Sequence, residues 1–148
     1  MDDCLSCNVK LGKITTPGGI LFENELISVT HSIPPAQCKG FMIVQPKRHV
    51  AHIADLTEAE VVAIAKAIRH TANSIKEVLS PEKVYVCSFG ETVKHVHFYV
   101  IPRTKEMPAR GITVLTQILD EGKWRCTEEE AKDVALLIKK SNSFKFLT

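Results

Sequence analysis

The stretch that most restricts the fold of this chain is "KHVHFYVIPR", residues 94–103. Its side chains alternate with a period of two, the repeat of a strand and not of a helix. In a strand His95, His97 and Tyr99 share one face, and Val96, Phe98 and Val100 share the other, which is the core face. Imidazoles two positions apart then lie roughly 6.5–7 Å apart along the strand. A neutral imidazole in such a row is a nucleophile, a metal ligand or a general base. The bland alternative is an exposed sheet face carrying incidental polar groups.

Other segments supply partners for this strand. "ILFENELISVTHS" reads as two strands around Glu23-Asn24-Glu25, a hairpin, after a turn at residues 16–19. "SIPPAQCKG" is a loop, because Pro34-Pro35 is excluded from a helix interior or a central strand. "GFMIVQP" is a buried strand, and residues 83–88, "KVYVCS", are another. Between them lies a long helix. Thr57 is its N-cap, Glu60 the capping-box partner, and Leu56 with Val61 a hydrophobic staple. Apolar positions 61, 64, 68, 72, 75 and 79 follow at helical spacing, and Ser80-Pro81 ends the helix. His70 reads as a surface residue. Thr127 with Glu130 opens a C-terminal helix near Glu128–Lys140, after a loop at "TKEMPARG". The expected fold class is α+β: a mostly antiparallel sheet of about five strands with one central and one C-terminal helix.

A chain of 148 residues fits one domain with its own core. A formal charge of +2, with Lys and Arg spread along the chain, gives no nucleic-acid footprint. No apolar run is long enough to cross a bilayer, and "MDDCLSCNVK" lacks the apolar segment of a signal peptide, so a cytoplasmic protein is expected. Five cysteines are an odd number, which in a reducing compartment argues for thiols or metal ligands. Cys4 and Cys7 form a C-x-x-C, while Cys38, Cys87 and Cys126 are isolated and read as small buried residues.

"GETVKHVHFYVIPR" resembles the signature of the histidine triad (HIT) family, His-φ-His-φ-His-φ-φ with φ apolar. "GFMIVQPKRHVAHIADL" resembles a second landmark of that family, a buried strand followed by Pro-Lys-x-His. "CLSC" resembles the N-terminus of its metal-bearing members. The likeness covers residues 1–103, the motif-bearing part of a single HIT-like domain over residues 1–148. Residues 104–148 match only as a loop and a helix.

The resemblance implies chemistry at the phosphorus of a nucleotide. The middle histidine, His97, attacks the α-phosphorus and expels the leaving group. The nucleotidyl-histidine then passes its group to water or another acceptor. Implied substrates are a purine nucleotide, a nucleoside phosphoramidate or a dinucleoside polyphosphate. The resemblance also implies a structural zinc on Cys4, Cys7, His49 and His95, with His52 as a competing ligand, no organic cofactor, and a homodimer. Two thiolates and two imidazoles are a sensible tetrahedral set. A second reading is a nucleotide-binding relative, impaired in catalysis, that acts as a sensor.

Departures from the family pattern bear on this reading. Tyr99 replaces the third histidine. Its phenol, with a reference pKa of about 10, donates a hydrogen bond but is no ready acid. Branches that carry glutamine there still transfer nucleotides, so Tyr99 does not by itself abolish catalysis. Glu91 stands where hydrolases often carry a glutamine near the leaving atom. Ser32 takes the place of the residue that holds the ribose hydroxyls. Ser88 falls near another substrate contact, and Thr92 completes the substrate-binding set.

Overall fold

The computed structural model describes residues 3–145. A six-residue helix, α1 (Leu5–Lys10), leads into five strands: β1 (Ile20–Glu23), β2 (Ile27–His31), β3 (Met42–Pro46), β4 (Lys83–Cys87) and β5 (Phe98–Arg103). They form one sheet in the order β1-β2-β3-β5-β4, with every neighbouring pair antiparallel. The expected α+β class with a five-stranded antiparallel sheet is what the chain forms. The β1–β2 hairpin closes where expected, because Asn24 Oδ1 accepts from the N–H groups of Leu26 and Ile27 at 2.8 and 2.9 Å.

The central helix, α2 (Glu58–Leu79), starts with both halves of the Thr57/Glu60 capping box and ends at Ser80 in the left-handed region. Ile64, Ala67 and Ile75 press onto Ile27, Val29, Val44 and Val100, the main core. The staple is incomplete: Leu56 packs on this core, but Val61 is 47 % exposed. His70 is not a free surface residue. It is half-buried, and its Nδ1–H donates to the Ser143 carbonyl at 2.9 Å.

The C-terminal part holds three helices, not one: α3 (Ile112–Leu119), α4 (Glu128–Lys140) and α5 (Asn142–Lys145). α4 carries the Thr127/Glu130 box as expected. α3 follows Gly111, whose φ of +58° and lack of a side-chain cap leave no start signal. Its Val114, Leu115 and Ile118 join Phe41, Ile101 and Met107 in a second core on the opposite face of the sheet.

The histidine stretch also differs from its expectation. β5 begins at Phe98, so His95, Val96 and His97 lie ahead of it. The reason is a tertiary contact. Val96 N–H donates to the Val50 carbonyl at 2.7 Å, which draws this segment toward the loop after β3. Within the sheet, Thr30 faces Ile43 and Ile43 faces Tyr99. These side chains lie on the face away from Met42, Val44 and Val100, and that face carries the site.

Candidate active site and metal-binding cluster

Cys4 is the N-cap of α1 and Cys7 lies three residues on, a spacing that puts both thiols on one side of the first turn. Against them come His49, from the loop after β3, and His95. The four ligand atoms all lie within 4.8 Å of one another. Cys4 Sγ is 3.6 Å from His95 Nδ1, Cys7 Sγ is 3.7 Å from the same nitrogen, and Cys7 Sγ is 3.4 Å from His49 Nδ1. Tetrahedral zinc, with bonds of about 2.3 Å to sulfur and 2.0–2.1 Å to nitrogen, requires sulfur–nitrogen separations of about 3.6 Å. The donor set fits such an ion.

The protonation pattern fits as well. His95 Nε2–H donates to the Pro46 carbonyl at 2.9 Å, which leaves Nδ1 without a proton and aimed at the cysteines. Burial holds the His95 pKa below its ordinary value, so the ring is neutral. Burial, then the neighbouring Cys4, raises the Cys7 thiol when no cation is present. His52 is exposed and stands outside the group.

Two residues beyond His95, His97 is buried but opens onto a cleft of about 180 Å³. Its Nδ1–H donates to the His95 carbonyl at 2.7 Å. A carbonyl only accepts, so the lone pair lies on Nε2. That nitrogen faces Tyr99 Oη at 3.2 Å, and the phenol donates to it. Burial raises the Tyr99 pKa, which keeps the proton on the phenol. The Tyr99 ring is held edge-on by Phe41, with centroids 5.0 Å apart. His97 and Tyr99 therefore share a face, as the alternation predicts, while His95 turns to the cysteines.

A model of the HIT domain matches residues 14–106. The chain belongs to the HIT family. Among curated HIT relatives, a bis(5'-adenosyl)-triphosphatase of Dictyostelium discoideum is 27% identical over 119 residues, 77% of this chain and 79% of that protein. An adenosine 5'-monophosphoramidase of Schizosaccharomyces pombe is 27% identical over 114 residues, 74% of this chain and 80% of that protein. Among solved HIT structures, a zinc-bound histidine triad family protein of Mycobacterium smegmatis superposes with a TM-score of 0.71 at 19% identity, covering 99% of this chain and 96% of that one.

The other residues expected in the site fall in different places. Ser32 lines the His97 cleft, with its Oγ donating to the Ala36 carbonyl at 3.2 Å. Ser88 does not line the cleft. Its Oγ donates to the His97 carbonyl at 2.7 Å and so holds the histidine backbone. Glu91 and Thr92 are exposed on the loop after β4 and do not line it either, although Val93 of the same loop does.

Three lining groups escaped the sequence reading. His31 is buried at the end of β2. Its Nδ1–H donates to the Ser32 carbonyl and its Nε2 accepts from the Gly40 N–H. Burial lowers its pKa, so it is a neutral prop for the cleft wall. Thr30 and Gln45 line the same cleft from β2 and β3. Gln45 had a legible signal: it is polar within a strand otherwise buried and apolar. No helix among the described residues is long and apolar enough to cross a membrane.

Proposed function

We propose that this HIT protein is a nucleotide hydrolase or nucleotidyl transferase with His97 as its nucleophile. The observation that carries the reading is the unprotonated Nε2 of His97, set by the Nδ1–H bond to His95 and opening onto a cleft. Nε2 attacks the α-phosphorus of a nucleoside phosphoramidate or a dinucleoside polyphosphate. The new N–P bond forms as the bond to the leaving group breaks. The leaving amine or phosphate takes a proton as it departs. In hydrolysis water then adds its oxygen to phosphorus, frees the imidazole, and gives up a proton. Tyr99 shifts its hydrogen bond from Nε2 to a phosphoryl oxygen when substrate enters. Glu91 and Thr92, beside the cleft-lining Val93, meet the leaving-group side, and Ser32 lies on the nucleoside side.

In this reading zinc is held by Cys4, Cys7, His49 and His95 and is structural. It is a closed four-ligand set with no open position for substrate. The protein is a cytoplasmic homodimer that uses no organic cofactor. One observation favours the nucleotide-binding reading instead: the Tyr99 hydroxyl occupies the Nε2 lone pair in the free protein.

The test is incubation with adenosine 5'-phosphoramidate and diadenosine polyphosphates, with products and intact protein mass read together. AMP release or one nucleotidyl group of added mass, absent in His97→Ala, supports the enzyme. Nucleotide binding with neither product nor adduct on any substrate moves the protein to the binding reading. Sedimentation of the native protein checks the dimer.

A further inference from the structure

Gln45 lies at the end of β3, and only 4 % of it is exposed. The preceding residue, Val44, pairs with Phe98, the residue after His97, where the β3–β5 ladder ends. Gln45 and His97 line the same cleft. The Gln45 amide makes no hydrogen bond with any described residue, yet its polar atoms are not sealed off from the cleft. Thr30, 3 % exposed and one strand away, likewise has a hydroxyl without a partner among the described residues. The neighbouring hydroxyls differ: Thr16 donates to the Gly19 carbonyl and Ser32 to the Ala36 carbonyl.

A largely buried amide without a protein partner is left to hydrogen-bond whatever occupies the cleft it faces. Most such groups in folded proteins are paired, so an exception facing a cleft beside a nucleophile points outward to a ligand. The chemistry of the wall says which part of a ligand. Among the described residues, no Asp, Glu, Lys or Arg lines the cleft. It offers no carboxylate to clamp a diol and no cation to hold a chain of phosphates. An amide presents a donor and an acceptor side by side, which suits an uncharged group that does the same.

From this geometry we infer that Gln45 is a substrate-recognition residue. Its amide hydrogen-bonds the uncharged nucleoside part of the substrate, a base edge or a sugar hydroxyl, and Thr30 assists. The inference rests on the nucleotide reading of this cleft and adds a recognition group to it.

The test compares native protein with Gln45→Leu, first without ligand. The leucine removes the unpartnered amide and keeps the volume. It is therefore expected to raise the melting temperature and leave the zinc content unchanged. A lower melting temperature would show the amide to be structurally engaged and would overturn the inference. AMP is then titrated into both proteins. The expected result is a Kd at least ten-fold weaker in the variant, while an equal Kd overturns the assignment.

2'-Deoxy-AMP and purine riboside 5'-monophosphate identify the group read. One of them should bind the native protein several-fold worse than AMP, and Gln45→Leu should erase that difference. Loss of discrimination against the deoxy analogue assigns the sugar, and loss against purine riboside assigns the base edge. Discrimination that survives in the variant against both analogues sinks the proposal. Absence of AMP binding to the native protein would instead defeat the nucleotide reading itself.

Discussion

An ion pair between Arg48 and Glu60 helps to anchor the loop that delivers His49, and its strength can be worked out. Arg48 Nε and Nη2 donate to Glu60 Oε1 and Oε2 at 3.0 and 2.7 Å, and Arg48 Nη2 also reaches the Asp55 carbonyl at 2.9 Å. The Arg48 hydrogen bonds, with help from the Thr57 backbone, hold the Glu60 carboxyl down to about 2 against an ordinary 4.5, although burial opposes this. At 1.36 kcal/mol per unit, the full difference is worth about 3.4 kcal/mol. The Arg48 side chain is 50% exposed, so water screens the pair and about 1–2 kcal/mol is the expected contribution.

Because the folded value lies below the unfolded one, the contribution is complete above pH 4.5 and disappears as the pH falls toward 2. Glu60→Gln keeps the size and the capping acceptor and removes the charge. Urea unfolding at neutral pH should show it about 1–2 kcal/mol less stable than the native chain, and the gap should close by about pH 2. Both proteins are compared in excess chelator, so that no metal contributes to the difference. A gap that stays constant with pH would refute the electrostatic account, and so would no gap at neutral pH.

Tyr99→Phe keeps the ring against Phe41 and removes only the hydroxyl on Nε2. Stability should change by less than about 1 kcal/mol, while kcat on adenosine phosphoramidate should fall roughly ten-fold or more through loss of a donor to the phosphoryl group. An unchanged kcat would show the hydroxyl to be idle. Gly40→Ala should destabilise by about 2–3 kcal/mol in urea titrations, since φ is +73° and a Cβ would meet Leu79 Cδ1 at 2.5 Å. If the proposed zinc is held there, the native protein carries one zinc per chain by elemental analysis and Cys7→Ser should lose it and melt well below the native protein, because metal binding and folding are coupled in such sites. A variant that keeps one zinc per chain would remove Cys7 from the ligand set.

Much of the fold was legible because local and tertiary preferences agree. Both capping boxes, the Asn24 turn and the Ser80-Pro81 stop are short-range signals, and each acts where the sequence places it. α3 lacked such a signal: it starts at an uncapped glycine, and tertiary burial of Val114, Leu115 and Ile118 decides it. α1 is six residues long and too short for a periodicity argument. Apart from the Cys4–Cys7 pair, the candidate metal ligands lie 42 to 91 positions apart, so spacing could not group them and only a family pattern could. His95 and Tyr99 were read as neighbours on one face. The Val50 contact turns the histidine segment away from the ladder, and nothing in residues 94–103 encodes a bond made by a distant loop. Gln45 was passed over because a lone polar residue in a buried strand looks like noise until its missing partner is seen.

The candidate metal cluster and the proposed nucleophile share a single piece of backbone. Leu5, Ser6 and Val9 of α1 form one wall of the His97 cleft. A six-residue helix does not hold itself in water, because nucleation is unfavourable and propagation over so few residues does not offset it. Burial of Ser6, Cys7 and Val9, the Lys10 bond to the Lys47 carbonyl, and Cys4 and Cys7 facing His49 and His95 tie it to the sheet. The same His95 is fixed at its other nitrogen by Pro46, and its carbonyl takes the Nδ1 proton of His97. Ser88 steadies the next carbonyl along. In the proposed reaction the four-ligand group is therefore remote from phosphorus yet sets two conditions for attack on it: a formed wall and an Nε2 free of its proton. Tyr99 adjusts the same nitrogen from the cleft side. Substituting the third histidine of the family pattern leaves that apparatus intact, because the tautomer of His97 is chosen behind it, by the His95 carbonyl, and not by the residue at position 99.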